Sequence, residues 1–355
     1  MQESEALRVS VVVACRNEIR HIEGFLDCVR RQDLGRIDME VVIADGMSVD
    51  GTRRVLLEFA KRFAAVRVID NPEKIASAGL NRAIREARGE IILRMDAHTI
   101  YASDYVRSCV ESLQETGADN VGGPALTRAE GYVAQAISYG FHTPFACGGA
   151  KFRDPQYEGP VSTVPYGCWR KSTLERLGGF DGELARGQDD ELNFRIVSDG
   201  GTIWQSPKIV SWYLPRLGLR ALFLQFFQNG FWKVAAIRKH GRPASWRNIV
   251  PGTCLFLGIL FLICAATADL EGSRQWQRAF LAVWFASAGS YFIASLASAF
   301  SVAEKNGWKF FPFMPVVFAT YHASYALGFF AGILYRPATS GPPNPVRRVL
   351  TASPK

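Results

Sequence analysis

In "EIILRMDAHTIY", Glu90 to Tyr101, an apolar run stops at Asp96 and His98 follows two residues later. Side chains two apart on an extended backbone point the same way, so the stretch predicts a strand that delivers a carboxylate and an imidazole together at its end. Upstream, "RVSVVVAC" (8–15), "MEVVIAD" (39–45) and "VRVID" (66–70) are further short runs rich in β-branched residues. Helix-like stretches separate them: Glu18 to Gln32, about Thr52 to Phe63, and about Ile75 to Ala87. Strand and helix alternating at this spacing predict parallel βαβ units, hence an α/β domain with an open, mostly parallel sheet covered by helices on both faces.

Ligands of such sheets lie beyond the carboxyl ends of the strands. Here those ends carry Cys15-Arg16-Asn17-Glu18, Asp45-Gly46 and Asp96-Ala97-His98, which should converge on one rim. A single polar residue at a strand end is usually a turn former or helix cap, and Asp50 in "SVDGT" reads that way. Three clusters at successive ends favour a site. No GxGxxG follows the first strand and no GxxxxGK occurs, which excludes the usual dinucleotide and P-loop phosphate cradles. A phosphorylated ligand would then need its charge met in another way, and a divalent ion held by Asp96 and His98 would do it. The carboxylate suits Mg2+, while the imidazole moves the preference toward Mn2+.

A second acidic cluster is "RGQDDELNFR", Arg186 to Arg195. Glu191 and Arg195 stand at i and i+4, the spacing of an ordinary helix ion pair, and Asp189 and Asp190 fall at the helix start, where carboxylates are favoured by the dipole. Those roles leave one acid unexplained. A carboxylate held there is able to accept the proton of an attacking hydroxyl.

The chain is 355 residues long, 48% hydrophobic, with a formal net charge of +8, and neither property is evenly spread. Three apolar runs close the chain, Pro251 to Ala268, Ala279 to Ala303 and Phe310 to Tyr335, the last interrupted only by His322. A helix of roughly 20 apolar residues crosses about 30 Å of hydrocarbon, so each run predicts a membrane span, at about 251–269, 279–303 and 311–335. Lys233, Arg238, Lys239, Arg242 and Arg247 precede the first run with no acid among them. Their position against a span favours anionic lipid over nucleic acid as the partner, and the positive-inside tendency assigns everything before Pro251 to the cytoplasm. Because "MQESEALRVSVVVAC" opens acidic and its apolar part is short, no secretory signal is expected. Seven cysteines without a CxxC pairing read as reduced thiols and do not suggest zinc. Between these regions, "LGLRALFLQFFQNGFWKVAAIRK" (217–239) predicts a helix broken near Asn229-Gly230. It either lies in the membrane interface or packs on the soluble domain, and both readings stand.

Taken in order, "VVVACRNE", "ADGMSVDGT", "RMDAH" and "GQDDEL" resemble the opening strand with its Asn-Glu, the DGGSTDGT element, the metal-binding DxD and the ED-x-[DE]-L segment of family 2 inverting glycosyltransferases with the GT-A fold. The likeness covers about residues 8–235. "NFR", "QFFQNGFWK" and the terminal spans bring it closer to bacterial membrane-attached enzymes of succinoglycan-type exopolysaccharide assembly. The resemblance implies a GT-A catalytic domain over 1–216, a basic interfacial region over 217–247, spans over 248–337 and a polar tail over 338–355. It implies Asp189 as catalytic base, with Asp190 and Glu191 as second candidates. Asp45 would face the nucleotide base, Asp96 the ribose-phosphate side and the metal, and His98 the metal; Arg16, Asn17, Glu18, Lys74 and Asn81 would line the donor pocket. Arg195, Gln225, Gln228, Trp232 and Lys233 are candidates toward a diphosphate or the acceptor, and Arg216, Arg220 and Arg238 join Lys233 as cations that contact either an acceptor diphosphate or only bulk lipid.

Three departures from the family pattern stand out. His98 replaces the more usual second aspartate, and Gln188 stands where Glu is frequent. Gln228 occupies the arginine position of the QxxRW-like region of processive synthases. The implied activity is transfer of a sugar from a nucleotide-diphosphate donor, UDP-glucose or a related UDP-sugar, to a polyprenyl-linked saccharide at the bacterial inner membrane. Transfer to a polyprenyl monophosphate, processive polymer synthesis and a non-catalytic nucleotide-sugar-binding scaffold are the alternatives. Three spans would send the tail outside, whereas Arg336, Arg347, Arg348 and Lys355 favour the cytoplasm, a conflict the sequence leaves open.

Overall fold

The opening β-branched run forms strand β1 (Leu7–Cys15), and the alternation continues through α1 (Ile22–Arg30), β2 (Ile37–Asp45), α2 (Thr52–Arg62), β3 (Val66–Asp70), α3 (Ala76–Glu86) and β4 (Ile91–Arg94). After β4 come β5 (Thr99–Tyr101), α4 (Tyr105–Thr116), β6 (Asn120–Gly122), β7 (Leu126–Thr127), α5 (Tyr132–Phe141), α6 (Pro144–Cys147), β8 (Gly159–Pro160), β9 (Cys168–Arg170), α7 (Lys171–Leu177), α8 (Gln188–Ser198), β10 (Ile203–Gln205) and β11 (Ser211–Tyr213). Helices α9 (Leu219–His240), α10 (Val250–Leu270), α11 (Arg274–Asn306) and α12 (Met314–Leu334) complete the chain. This computed structural model describes residues 7–184, 186–215 and 217–335. It divides into two units, Met1–Arg128 with Lys151–Leu214, and Ala129–Ala150 with Pro215–Lys355. Helices α5 and α6, which the sequence reading kept in the catalytic region, therefore belong to the second unit.

In the first unit an eight-stranded sheet runs in the order β3-β2-β1-β4-β9-β6-β10-β8, and a three-stranded sheet in the order β5-β11-β7. Strands β3, β2, β1 and β4 are all parallel, while β9 lies antiparallel between β4 and β6 and makes the sheet mixed. β1 is buried on both faces, as parallel strands are. Val9, Val11 and Val13 join Phe25 and Leu26 of α1 and Val106 of α4 on one side; Val12 meets Leu80 and Ala83 of α3 and Leu192 and Ile196 of α8 on the other. Each such side chain contributes roughly 1.5–3 kcal/mol on burial, which fixes the sheet on which the site is built.

The strand expected from Glu90 to Asp96 ends earlier, at Arg94, and Asp96 to His98 form a turn into β5. Asp96 and His98 thus share a rim, but across a turn and not along one extended face. The reason is β5, whose pairing with β11 in the smaller sheet draws the chain out of the first.

Within the second unit, α9 runs without interruption through Asn229-Gly230, which corrects the expected break. The glycine answers to packing. A Cβ at Gly230 would sit 2.1 Å from the Tyr325 carbonyl oxygen, and one at Gly328 of α12 would sit 1.9 Å from that of Phe227. Paired glycines let the two backbones touch, so Gly230 serves close approach and not flexibility. Among the described residues, three helices are long and apolar enough to cross a membrane: α10, α11 and α12.

Candidate active site

Register assembles the rim. Cys15 pairs with Asp45, Asp45 with Asp70, and Val12 with Arg94, so these strands end near one line. Two loops then lock together above β1 and β2. Asn17 N–H donates to Ser48 Oγ (2.9 Å), Val49 N–H to Asn17 Oδ1 (3.0 Å), Glu18 N–H to Thr52 Oγ1 (2.9 Å) and Ile19 N–H to Asp50 Oδ2 (3.1 Å). Asp50 also accepts from Thr52 N–H at 3.1 Å, the turn-forming role its sequence context predicts. Asn17, Met47 and Lys74 all adopt positive φ (55°, 57° and 61°), a conformation that costs non-glycine residues energy and clusters where structure over-determines it.

Asp45 itself is wholly buried. Its oxygens accept from Ser48 N–H (3.3 and 3.2 Å) and from Arg53 Nη1 (2.9 Å), and Arg53 Nη2 reaches on to Asp70 Oδ1 at 2.6 Å. These bonds hold the Asp45 carboxylate, expected to face a nucleotide base, against Ser48 and Arg53. Arg16 covers Gly46, where a Cβ would lie 2.9 Å from the Arg16 Cβ, and is exposed, as is Lys74 at the β3–α3 turn. Asn81 is engaged elsewhere. Its amide donates to Phe180 O (2.7 Å) and accepts from Phe180 N–H (2.8 Å), which pins the loop before α8 and does not line a pocket through those atoms.

The centre of the site is an arginine that the sequence reading passed over. Arg94, only 6% exposed, donates to Asp96 from Nε (3.1 Å) and Nη2 (3.0 and 3.1 Å), and Nη1 donates to Asp189 Oδ1. The two acids thereby meet, at 18% and 28% exposure, on the rim side of a hidden cation. Asp96 is further fixed through its N–H, which donates to the Tyr101 hydroxyl at 2.6 Å. Burial pushes the Asp189 carboxyl up to about 7; Arg94 opposes the shift, and the nearby Asp96 and Asp190 charges add to it. His98 stands next to Glu18, Nδ1 to Oε1 3.4 Å, which holds the imidazole against that carboxylate.

The other acids of α8 have structural partners. Arg195 grips Glu191 with two bonds of 2.7 Å and donates to the carbonyls of Leu177 (2.5 Å) and Gly179 (2.7 Å). That fully used fork corrects the expectation of Arg195 toward a diphosphate. Asp190 accepts from Thr163 Oγ1 (3.2 Å), which in turn accepts from Asn193 (2.8 Å), and Asn120 donates to Asn193 Oδ1 (2.7 Å). This polar chain, absent from the sequence reading, ties the start of α8 to the sheet and so fixes Asp189. Gln225, Gln228, Trp232 and Lys233 lie on α9 in the second unit, with Arg220. Arg238 caps α12, donating to Tyr335 O (2.8 Å) and Ile333 O (2.5 Å), which corrects its expected place among the acceptor-facing cations. Arg216 and 336–355 lie outside the described residues.

A parallel βαβ half continued by a mixed sheet, with acidic clusters at the strand ends, defines the GT-A class of glycosyltransferase fold. The family profile described as "Glycosyl transferase family 2" matches residues 10–169. The chain is 32% identical over 243 residues to the succinoglycan biosynthesis protein ExoA of Rhizobium meliloti, covering 68% of this chain and 73% of that one. It belongs to glycosyltransferase family 2. A Methanococcus voltae relative, the dolichyl N-acetyl-alpha-D-glucosaminyl phosphate 3-beta-D-2,3-diacetamido-2,3-dideoxy-beta-D-glucuronosyltransferase, is 24% identical over 334 residues, covering 92% of this chain and 97% of its own. Among solved structures, the mannosyltransferase PcManGT of Pyrobaculum calidifontis, in complex with GDP-Man and Mn2+, has the same fold. Its TM-score is 0.57 at 20% identity, and the match covers 92% of this chain and 88% of that one.

Proposed function

We propose that the chain is a membrane-bound inverting glycosyltransferase at the bacterial inner membrane. It moves a sugar from a nucleoside-diphosphate donor, UDP-glucose or a related UDP-sugar, to a hydroxyl of a polyprenyl-diphosphate-linked saccharide. One observation carries the reading: Arg94 draws Asp96 of the strand-end turn and Asp189 of α8 onto one rim. A donor site and a proton acceptor are then adjacent.

Asp189 takes the proton of the acceptor hydroxyl, and its raised pKa suits that task near neutral pH. The freed oxygen bonds to the anomeric carbon while the bond to the diphosphate breaks on the opposite face. One bond forms, one breaks, the electron pair leaves with the nucleoside diphosphate, and configuration inverts. Arg94 keeps the two carboxylates at a set separation, and Tyr101 steadies Asp96 from behind. Arg16, Asn17, Glu18 and Lys74 border the donor side of the rim.

Asp96 and His98 fit a divalent ion, Mn2+ or Mg2+. Two protein donors at a partly exposed rim suit an ion that keeps its other positions for phosphate oxygens and water. Bound with the donor, such an ion would supply positive charge against the diphosphate. The lipid-linked acceptor is supported by the name of the Methanococcus voltae relative and by the candidate spans.

The test supplies the membrane-embedded protein with a panel of nucleotide sugars and a bacterial lipid extract, and weighs the lipid product. One donor should add one sugar to a lipid-linked saccharide. A protein that consumes no nucleotide sugar with any acceptor overturns the reading, and transfer that survives Asp189→Asn overturns the base.

A further inference from the structure

Three helices could cross a membrane, but they are not alike in their surroundings. In the most apolar stretch of each, 11% of α10 and 6% of α11 is buried within the protein, against 39% of α12. Helices α10 and α11 form a hairpin closed by Glu271-Gly272-Ser273, and Gly258 of one faces Trp284 of the other, 3.8 Å from a Cβ built at the glycine to the indole nitrogen. The 21 residues of α10 rise about 30 Å, one hydrocarbon thickness. Returning from Arg274, α11 has covered the same distance by about Ala294. Its buried residues begin there: Ser295, Ala299, Val302 and Ala303. The rest of α11 extends past the level at which α10 begins and packs on protein.

Helix α12 packs against that extension. Its first half, Met314, Val317, Phe318 and Tyr321, clusters with Ala299 and Val302 of the emergent part of α11. Its second half lies beside the start of α10. Tyr325 Oη donates to Asn248 O (3.0 Å), and the Phe329 ring lies 2.8 Å from a Cβ built at Gly252. Helix α12 is itself about 30 Å long, yet its contacts run only from Val302, well beyond Ala294 on α11, to Gly252 of α10 and to Tyr291 of α11, whose hydroxyl bonds His322 Nδ1 at 2.9 Å, about 15 Å of depth along the hairpin. It is therefore oblique to α10 and α11. Alongside it runs α9 in the same direction, from Phe226 against Tyr321 (ring centroids 4.4 Å) to Arg238 on the carbonyl of Tyr335. If α12 crossed, it would carry Gln228, Asn229 and Lys233 of α9 into hydrocarbon with it.

We infer that the chain crosses the membrane twice, through α10 and α11, and that α12 lies with α9 in the headgroup layer on the side where α10 begins. The pair suits that layer. Val316, Leu327, Ile333 and Leu334 expose apolar surface on α12, and Arg220 and Lys239 are exposed on α9, with Arg242 and Trp246 beyond it. Trp246 before α10 and Trp276 at the far end of the hairpin, both largely exposed, mark the two water boundaries. Tyr335, the last described residue, then ends on the same side as the start of α10, and the sequence conflict over Arg336, Arg347, Arg348 and Lys355 disappears.

Full-length protein in spheroplasts, with the lipid-facing Cys254 and Cys264 changed to serine, tests this through single added cysteines probed with a membrane-impermeant maleimide. E271C should label in intact spheroplasts, and K355C only after permeabilisation. Green fluorescent protein fused to the complete C-terminus, read separately, should fluoresce. Labelling of K355C in intact spheroplasts together with a dark fusion gives three crossings and overturns the inference; failure of E271C to label before permeabilisation overturns the hairpin. Neither readout depends on catalytic activity.

Discussion

Two clusters of one arginine and two aspartates stand at strand ends of the same sheet, and they are built inside out relative to each other. In the first, Arg53 is partly exposed and joins a wholly buried Asp45 to an open Asp70. In the second, Arg94 is the hidden member and both its acids, Asp96 and Asp189, reach the rim. Composition is identical, and burial decides the use. With the cation outside, the acids brace β2, β3 and the loop after them. With the cation behind, the acids reach the rim in fixed positions, and one of them has a carboxyl pushed up to about 7 by burial.

The comparison is most exposed to Asp189→Asn. Transfer should fall about 10²- to 10⁴-fold, the usual contribution of a general base, with donor binding by calorimetry unchanged. The matched change in the other cluster, Asp70→Asn, should leave turnover within twofold. Next come the arginines. Arg94→Gln strands two neighbouring carboxylates and should cost about 3–5 kcal/mol in chemical denaturation. Arg53→Gln leaves Asp45 its Ser48 N–H bonds and should cost about 1–3 kcal/mol. If the two losses are equal, the contrast in burial is not what separates them.

Turnover gives a subtler measure. As the proposed base, Asp189 would have to be ionised to act, so the rate should climb roughly tenfold from pH 6 to pH 8, with an apparent midpoint near 7. The linkage sign runs the other way for stability. A carboxyl whose folded-state pKa is raised favours the protonated fold, so ionisation costs stability as pH rises from the unfolded value through about 7. The melting difference between Asp189→Asn and the parent should therefore shift in favour of the variant over that window. Smallest is His98→Ala, which should weaken Mn2+ binding about tenfold by electron paramagnetic titration and leave the melting temperature in place.

Much of the first cluster's surroundings was legible in the sequence because parallel strands announce themselves by continuous apolar runs and their ends by sudden charge. Asp45 was placed at a strand end that way, and the Glu191–Arg195 pair followed from its i, i+4 spacing. Arg94 was not, since a cation two residues before a rim acid reads as a solvated side chain until Asp189 of α8 and the Phe180 ring are known to lie against it. Asn120, Thr163 and Asn193 were equally silent, for neutral polar residues carry no periodic signature. Asn229-Gly230 misled because glycine has two uses in a helix, and only the position of Gly328 on another element distinguishes contact from break.

The interlocked segments 16–19 and 46–52 carry one more implication. Four side-chain-to-backbone bonds between them hold this wall in shape before any nucleotide arrives. Docking there forfeits little chain freedom, so the donor should associate quickly, with a modest entropic penalty and nearly the same backbone hydrogen-exchange pattern in both loops whether the nucleotide is present or washed away.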